Sequence, residues 1–272
     1  MTKFNAAFLA LSLTSTLFLN ACLTEDEHTH AEPTKELHSN QVLIQTLHTS
    51  TIHAELYATD SAKVGYQKLE VCLQTLEHAP LANRTITLAP LMDMGMMNGM
   101  PMVHAAPIEQ PTTKTDANGC ASGAIVWLMM GEWSLKAISD TDTLNFAKIN
   151  IINDTTRIKM AKDLQDTSRK IIVALINPTT PKVGMNDFEV AVFYKKDMMH
   201  YPADTTVKLV MTPEMPSMGH GSPNNVNPIH TSNGHYKGTV NFSMTGDWLV
   251  NLKLKNSQDS LRLSTGFWTN VK

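Results

Sequence analysis

Sulfur and imidazole side chains gather at two places in this chain. Residues 213–220 read Pro213-Glu214-Met215-Pro216-Ser217-Met218-Gly219-His220, and residues 90–104 carry Pro90, Met92, Met94, Met96, Met97, Met100, Pro101, Met102 and His104. Thioether sulfur is neutral and soft. It suits Cu(I), imidazole suits copper in either oxidation state, and Mg²⁺ and Ca²⁺ take oxygen instead. A thioether needs no deprotonation, so such a site works over a wide pH range. Met215, Met218 and His220 can converge three soft ligands from one loop. In the earlier run His104 with Met92, Met94 and others up to Met102 can do the same, and His230 or His235 is near enough in sequence to add a nitrogen. The expected ligand is copper, preferably Cu(I). Methionine is also a pliable core filler, so the alternative is a metal-free module whose Met loops close a domain end or dock a protein partner. Flanked by Gly, Pro and Asn, these methionines are expected in mobile loops rather than in a regular strand. Apolar side chains on such loops ask for a reason.

Catalytic signatures are missing from the sequence. There is no Gly-x-Ser-x-Gly elbow, phosphate loop, dinucleotide fingerprint or His-Glu-x-x-His. The expectation is a binding protein and not an enzyme.

The elements that must position the two runs come as a repeat. Lys63-Val64-Gly65 followed by Leu69-Glu70-Val71 returns as Lys182-Val183-Gly184 followed by Phe188-Glu189-Val190. Asn118-Gly119, Gly123 and Gly131-Glu132-Trp133 return as Asn233-Gly234, Gly238 and Gly246-Asp247-Trp248. Two copies of one domain follow, at 41–155 and 165–272, with a polar joint from Thr155 to Thr167. Pro90 and His104 are 14 positions apart, Pro213 and His220 seven, so the first copy carries about seven inserted residues. Each copy reads as β. Val240, Phe242 and Met244 alternate with polar neighbours, as do Trp248, Val250, Leu252 and Leu254. Gly246-Asp247 between these runs makes either a hairpin or a bulged continuous strand. Earlier short runs are Ile52–Leu56, Leu69–Leu73 and Thr85–Leu88, and then Ile171–Ile176, Phe188–Phe193 and Val207–Met211. Many short strands with regular turns predict an all-β chain of two tandem immunoglobulin-like sandwiches. Trp133, Trp248, Met129, Met130 and Met244 are expected in the core.

Cys72 and Cys120 enclose about 48 residues, and their repeat counterparts are Ala191 and His235. A disulfide is favoured over a pair of thiol ligands.

Lys3, the apolar run from Phe4 to Leu19 and Ala21 before Cys22 read as a signal peptide over 1–21. The ending resembles a bacterial lipobox, which implies lipidation at Cys22. Residues 22–40 then read as a polar tether, with His28, His30 and His38 as solvated side chains or weak metal ligands. The chain has 22 Lys and Arg against 25 Asp and Glu, and removing 1–21 takes away Lys3 alone. So slight an acidic excess gives no basic face for nucleic acid. The expected address is the cell envelope, lipid-anchored and facing the periplasm. Leu23 favours the outer membrane in a Gram-negative cell.

Residues Pro213 to His220, with Gly234-x-Tyr236-x-Gly238 and Met244-x-Gly246-x-Trp248, resemble the YtkA-like domain, a relative of the FixH proteins. The resemblance covers the second copy well and the first only through its Gly/Trp half, since Leu91, Asp93 and the insertion depart from the pattern. It implies a small extracytoplasmic β-sandwich associated with copper transport or cytochrome oxidase maturation. The implied partners are the membrane and a membrane copper transporter or oxidase assembly protein.

Overall fold

Period-two alternation resolves into antiparallel pairing. The computed structural model describes residues 38–139 and 142–272, and every regular element among them is a β-strand. Among the described residues no helix is long and apolar enough to cross a membrane. The expected signal peptide over 1–21 and the residues Cys22, His28 and His30 lie outside the described residues.

The first half supplies β1 (Val42–His48), β2 (His53–Ala58), β3 (Gly65–Gln74), β4 (Thr85–Met97), β5 (Met100–Ala105), β6 (Ile108–Glu109), β7 (Thr112–Lys114), β8 (Cys120–Trp127), β9 (Gly131–Ser139) and β10 (Thr143–Ile151). One sheet runs β1-β2-β3-β8-β6. The other runs β10-β9-β4-β5, with β7 on β4. The second half supplies β11 (Ile158–Lys162), β12 (Lys170–Asn177), β13 (Gly184–Lys195), β14 (Lys208–Met215), β15 (His220–Gly221), β16 (Val226–Ser232), β17 (His235–Phe242), β18 (Gly246–Lys255) and β19 (Leu261–Val271). Its sheets are β11-β12-β13-β17-β16 and β15-β14-β18-β19. The chain is thus all-β, two sandwiches in tandem, with inward residues alternating along each strand.

Four local readings change. Met130 and Met244, expected in the core, are exposed and Met129 is only partly buried, because all three lie in the segments between strands and not on an inward-facing strand position. Val240 and Val250 face one core from opposite sheets, so the chain around Gly246 neither turns back as a hairpin nor continues as one strand. It crosses from β17 in one sheet to β18 in the other, and β8 passes to β9 in the same way. The joint contains a strand: β11 pairs with β12 from Ile158↔Ala174 to Lys162↔Lys170, because Ile158 is apolar enough to bury. The tether reading stops short of His38. That ring is buried and stacks on Tyr57 at 3.8 Å, and its Nδ1 lies 2.7 Å from Gln41 Oε1 and 3.3 Å from Glu70 Oε2.

Strand β12 explains itself by where it sits. Ile171, Val173 and Leu175 belong to the second core, while Ile172 and Ala174 pack with Ala191 and Phe193 into the apolar cluster of the first sandwich. A strand covered on both faces reads as a continuous apolar run rather than an alternating one.

Candidate functional site

The Met-rich segment of the first sandwich is a β-hairpin and not an irregular loop. Asn98 (φ 51°) and Gly99 (φ 78°) both take the left-handed conformation that a two-residue hairpin turn requires, and they close β4 onto β5. The hairpin places Met92 directly across from His104. In the second sandwich β14 turns back after only four residues, with the amides of Met218 and Gly219 both donating to the Met215 carbonyl, and Met215 stands directly across from His220. Side chains facing each other across an antiparallel pair have Cβ atoms about 4.5–5.5 Å apart. The same sulfur–imidazole pair is therefore built twice, and the seven inserted residues only lengthen the hairpin beyond it.

Each pair rests on a tryptophan. His104 meets Trp133 edge to face at 5.1 Å, and His220 meets Trp248 at 5.7 Å. Both tryptophans are fully buried, and their Nε1–H groups donate to the carbonyls of Met129 and Met244, each at 3.0 Å. Those bonds tie the crossing between the two sheets to the first turn of the next strand. The glycine two positions before each tryptophan makes room for the thioether. A Cβ on Gly131 would meet Met92 Cε at 2.6 Å, and one on Gly246 would meet Met215 Cε at 3.1 Å. The glycine of the Gly-acid-Trp repeat thus seats the methionine methyl.

The imidazoles are preset. His104 Nδ1–H donates to the Ala105 carbonyl (3.0 Å) and His220 Nδ1–H to the Gly221 carbonyl (2.9 Å). A carbonyl on Nδ1 fixes the tautomer and leaves Nε2 as the lone-pair nitrogen. In the first sandwich that atom is buried with no hydrogen-bond partner. Leaving such a group unsatisfied costs about 1–3 kcal/mol. A soft cation beside the sulfur would satisfy it, with the aromatic ring as a neighbour favourable to positive charge.

The other expected ligands stand apart from the pairs. Met92 (8% exposed) and Met215 (3%) are buried among the apolar residues of their cores, whereas Met94 and Met218 project into solvent. Met96, Met97 and Met100 are also exposed at the tip of the hairpin. His230 is on β16, in the opposite sheet from His220, with its ring 5.3 Å from that of Tyr236. Cys72 and Cys120 are Cα partners on β3 and β8 and are joined by a disulfide. His38, Glu70 and these cysteines bring ligand atoms within 4.8 Å of one another, but sulfurs bonded to each other are not thiolates and hold no metal. The Asn98-Gly99 dipeptide was the sequence signal for the Met92–His104 pairing. The role of the two glycines beside the thioethers carried no signal that sequence alone could separate from a turn.

A cleft of about 700 Å³ opens between the sandwiches, lined by Tyr66, Glu109, Arg157, Glu189, His235 and Lys237 among others. It contains none of the Met–His pair residues. Across it His235 Nε2–H donates to Glu109 Oε1 (2.6 Å), and His235 Nδ1 lies 2.7 Å from Glu189 Oε1.

Residues 165–253 match the model of the YtkA-like family. No curated protein sequence matches the chain. Among solved structures, a bacterial integrin-binding invasin is similar over 80% of this chain and 39% of its own, at 14% identity and a TM-score of 0.27. The chain spans less than half of that invasin. Domains 5–6 of the S-layer protein SbsC are similar over 85% of this chain and 98% of theirs, at 10% identity and a TM-score of 0.29. The fibronectin(III)-like modules of Clostridium thermocellum CbhA are similar over 80% and 94%, at 9% identity and a TM-score of 0.24.

Proposed function

We propose that the protein is an extracytoplasmic copper-binding protein that holds or hands on Cu(I), one ion at each Met–His pair. The observation that carries the reading is the duplication: Met92–His104 and Met215–His220 each set a thioether across from an imidazole with a preset tautomer, over a buried tryptophan. Thioether and imidazole are neutral soft and borderline donors, which favours Cu(I) over hard cations. The signal-like N-terminus and Cys22 support a lipid-anchored position in the cell envelope, near a membrane copper transporter or an oxidase assembly protein. Binding rather than catalysis is the assigned activity.

The four exposed methionines Met94, Met96, Met97 and Met100 at the hairpin tip favour a second reading, in which a protein partner docks there without metal. Cu(I) titration against a competing chelator separates the two. The intact chain takes up two Cu(I). Met92→Leu with His104→Leu removes one equivalent, and Met215→Leu with His220→Leu removes the other. Unchanged stoichiometry and affinity in both double variants would falsify the copper assignment.

A further inference from the structure

We infer that a second kind of metal site, for a borderline divalent cation such as Zn(II) or Cu(II), lies at the opposite end of the first sandwich, made by His48, His53 and His78. It uses none of the Met–His pair residues and does not depend on the Cu(I) reading. His48 and His53 are Cα partners at the turn joining β1 to β2, and His53 is in turn the partner of Gln74 at the end of β3. His78 follows in the turn after β3. Thr85 begins β4 at this end, and Met92 is seven residues further on, about 24 Å along the strand at about 3.4 Å per residue.

Two nitrogens already stand as ligands do. His53 Nδ1 and His48 Nδ1 face each other at 3.3 Å. Tetrahedral Zn(II) with bonds of about 2.0–2.1 Å places neighbouring nitrogens about 3.3 Å apart. A carboxylate stands behind His53. Glu55 Oε1 lies 3.3 Å from its Nε2, and Glu55 is itself held by the Tyr57 hydroxyl, which donates to Oε2 at 2.8 Å. A metal on Nδ1 would put the ring proton on Nε2, on the side of that carboxylate. A carboxylate behind a histidine is the recurrent support of imidazole–metal bonds. His78 Nδ1 is 3.2 Å from Gln74 Oε1 and donates to it, leaving Nε2 as the lone-pair nitrogen, and the His78 ring is 5.3 Å from that of His53. His48 and His53 are the two ligands in place, and a change of rotamer at exposed His78 would bring in its Nε2 as the third. Three neutral imidazoles suit Zn(II) and Cu(II), and Cu(II) binds the same donors more tightly.

Zn(II) and Cu(II) are each titrated into the full chain against a competing chelator, with electron paramagnetic resonance of the Cu(II) form. One ion binds, and the Cu(II) spectrum carries hyperfine structure from at least two nitrogens. His48→Ala and His53→Ala each weaken binding by tenfold or more, and Glu55→Ala, acting through His53, by about tenfold. The variant with all four Met–His pair residues changed to Leu keeps this site intact, which separates it from the Cu(I) sites. Circular dichroism confirms that the histidine variants fold. Absence of binding by either ion, or unchanged affinity in the folded His48→Ala, His53→Ala double variant, overturns the assignment.

Discussion

The first sandwich buries its histidine and extends its hairpin, while the second leaves its histidine half-exposed and turns back within four residues. The same divergence runs through the strand pair that forms the middle of each sheet. Where β3 and β8 carry Cys72 opposite Cys120, β13 and β17 carry Ala191 opposite His235. One copy has a covalent staple at that position. The other has an imidazole that reaches out of its own sandwich to Glu109 of the first. The two halves thus share the Met–His–Trp geometry and differ at the position that secures the sheet, which holds one sandwich together in the first half and the two sandwiches against each other in the second.

Breaking the staple tests the contrast most strongly. Cys72→Ser with Cys120→Ser opens a loop of 48 residues and costs about 3–4 kcal/mol on the chain-entropy model. Hydrogen exchange localises the loss to β1–β10. An equal loss in β11–β19 would show that the two halves are not separately secured.

The clamp gives the next effect. The hydrogen bond to Glu109, then that to Glu189, raises the pKa of His235 above its usual value near 6.5, against the opposing pull of burial. Tyr66 donates to Glu109 Oε2 at 3.2 Å, and Lys237 Nζ lies 3.5 Å from Glu189. A raised folded-state pKa gives stability that is fully present below about pH 6.5 and is lost as pH rises through the raised value. His235→Gln therefore costs about 2 kcal/mol at pH 6, on the scale of hydrogen bonds to charged groups, and less at pH 9. Denaturant midpoints at the two pH values measure it, and a pH-independent cost removes the charge from the account.

The smallest effect separates the two imidazoles. His104→Leu removes a buried unsatisfied nitrogen and raises metal-free stability by about 1 kcal/mol. His220→Leu, at a half-exposed position, stays within about 0.5 kcal/mol. Thermal melts in the presence of a chelator compare them. Destabilisation by His104→Leu would mean that the nitrogen is satisfied in solution.

Much of this was readable in advance because repeated chemistry leaves repeated spacing. The Gly-acid-Trp pairs located the starts of β9 and β18, and the difference between Pro90–His104 and Pro213–His220 measured the lengthening of the hairpin. Other features left no such trace. The alternation around Gly246 is the same whether a chain turns back in one sheet or passes to the facing one, so the crossing depended on tertiary packing. His38 is polar and preceded by polar residues, and only the Tyr57 ring and Glu70 make burial favourable for it. His48 and His53 flank a tight turn, a signal present in the sequence, but Glu55 becomes their support only through strand pairing. Met94 and Met218 looked equivalent to Met92 and Met215 because sequence gives the presence of sulfur, not its direction.

Strand β12 has a consequence for how the chain can be divided. Cut free near residue 155, the C-terminal half bares Ile172, Ala174 and Phe193 as an open greasy strip, since their cover belongs to the neighbour. The half that carries the family match is therefore expected to self-associate when separated. Its solubility is borrowed from the half in front of it, whose apolar residues cover that strip.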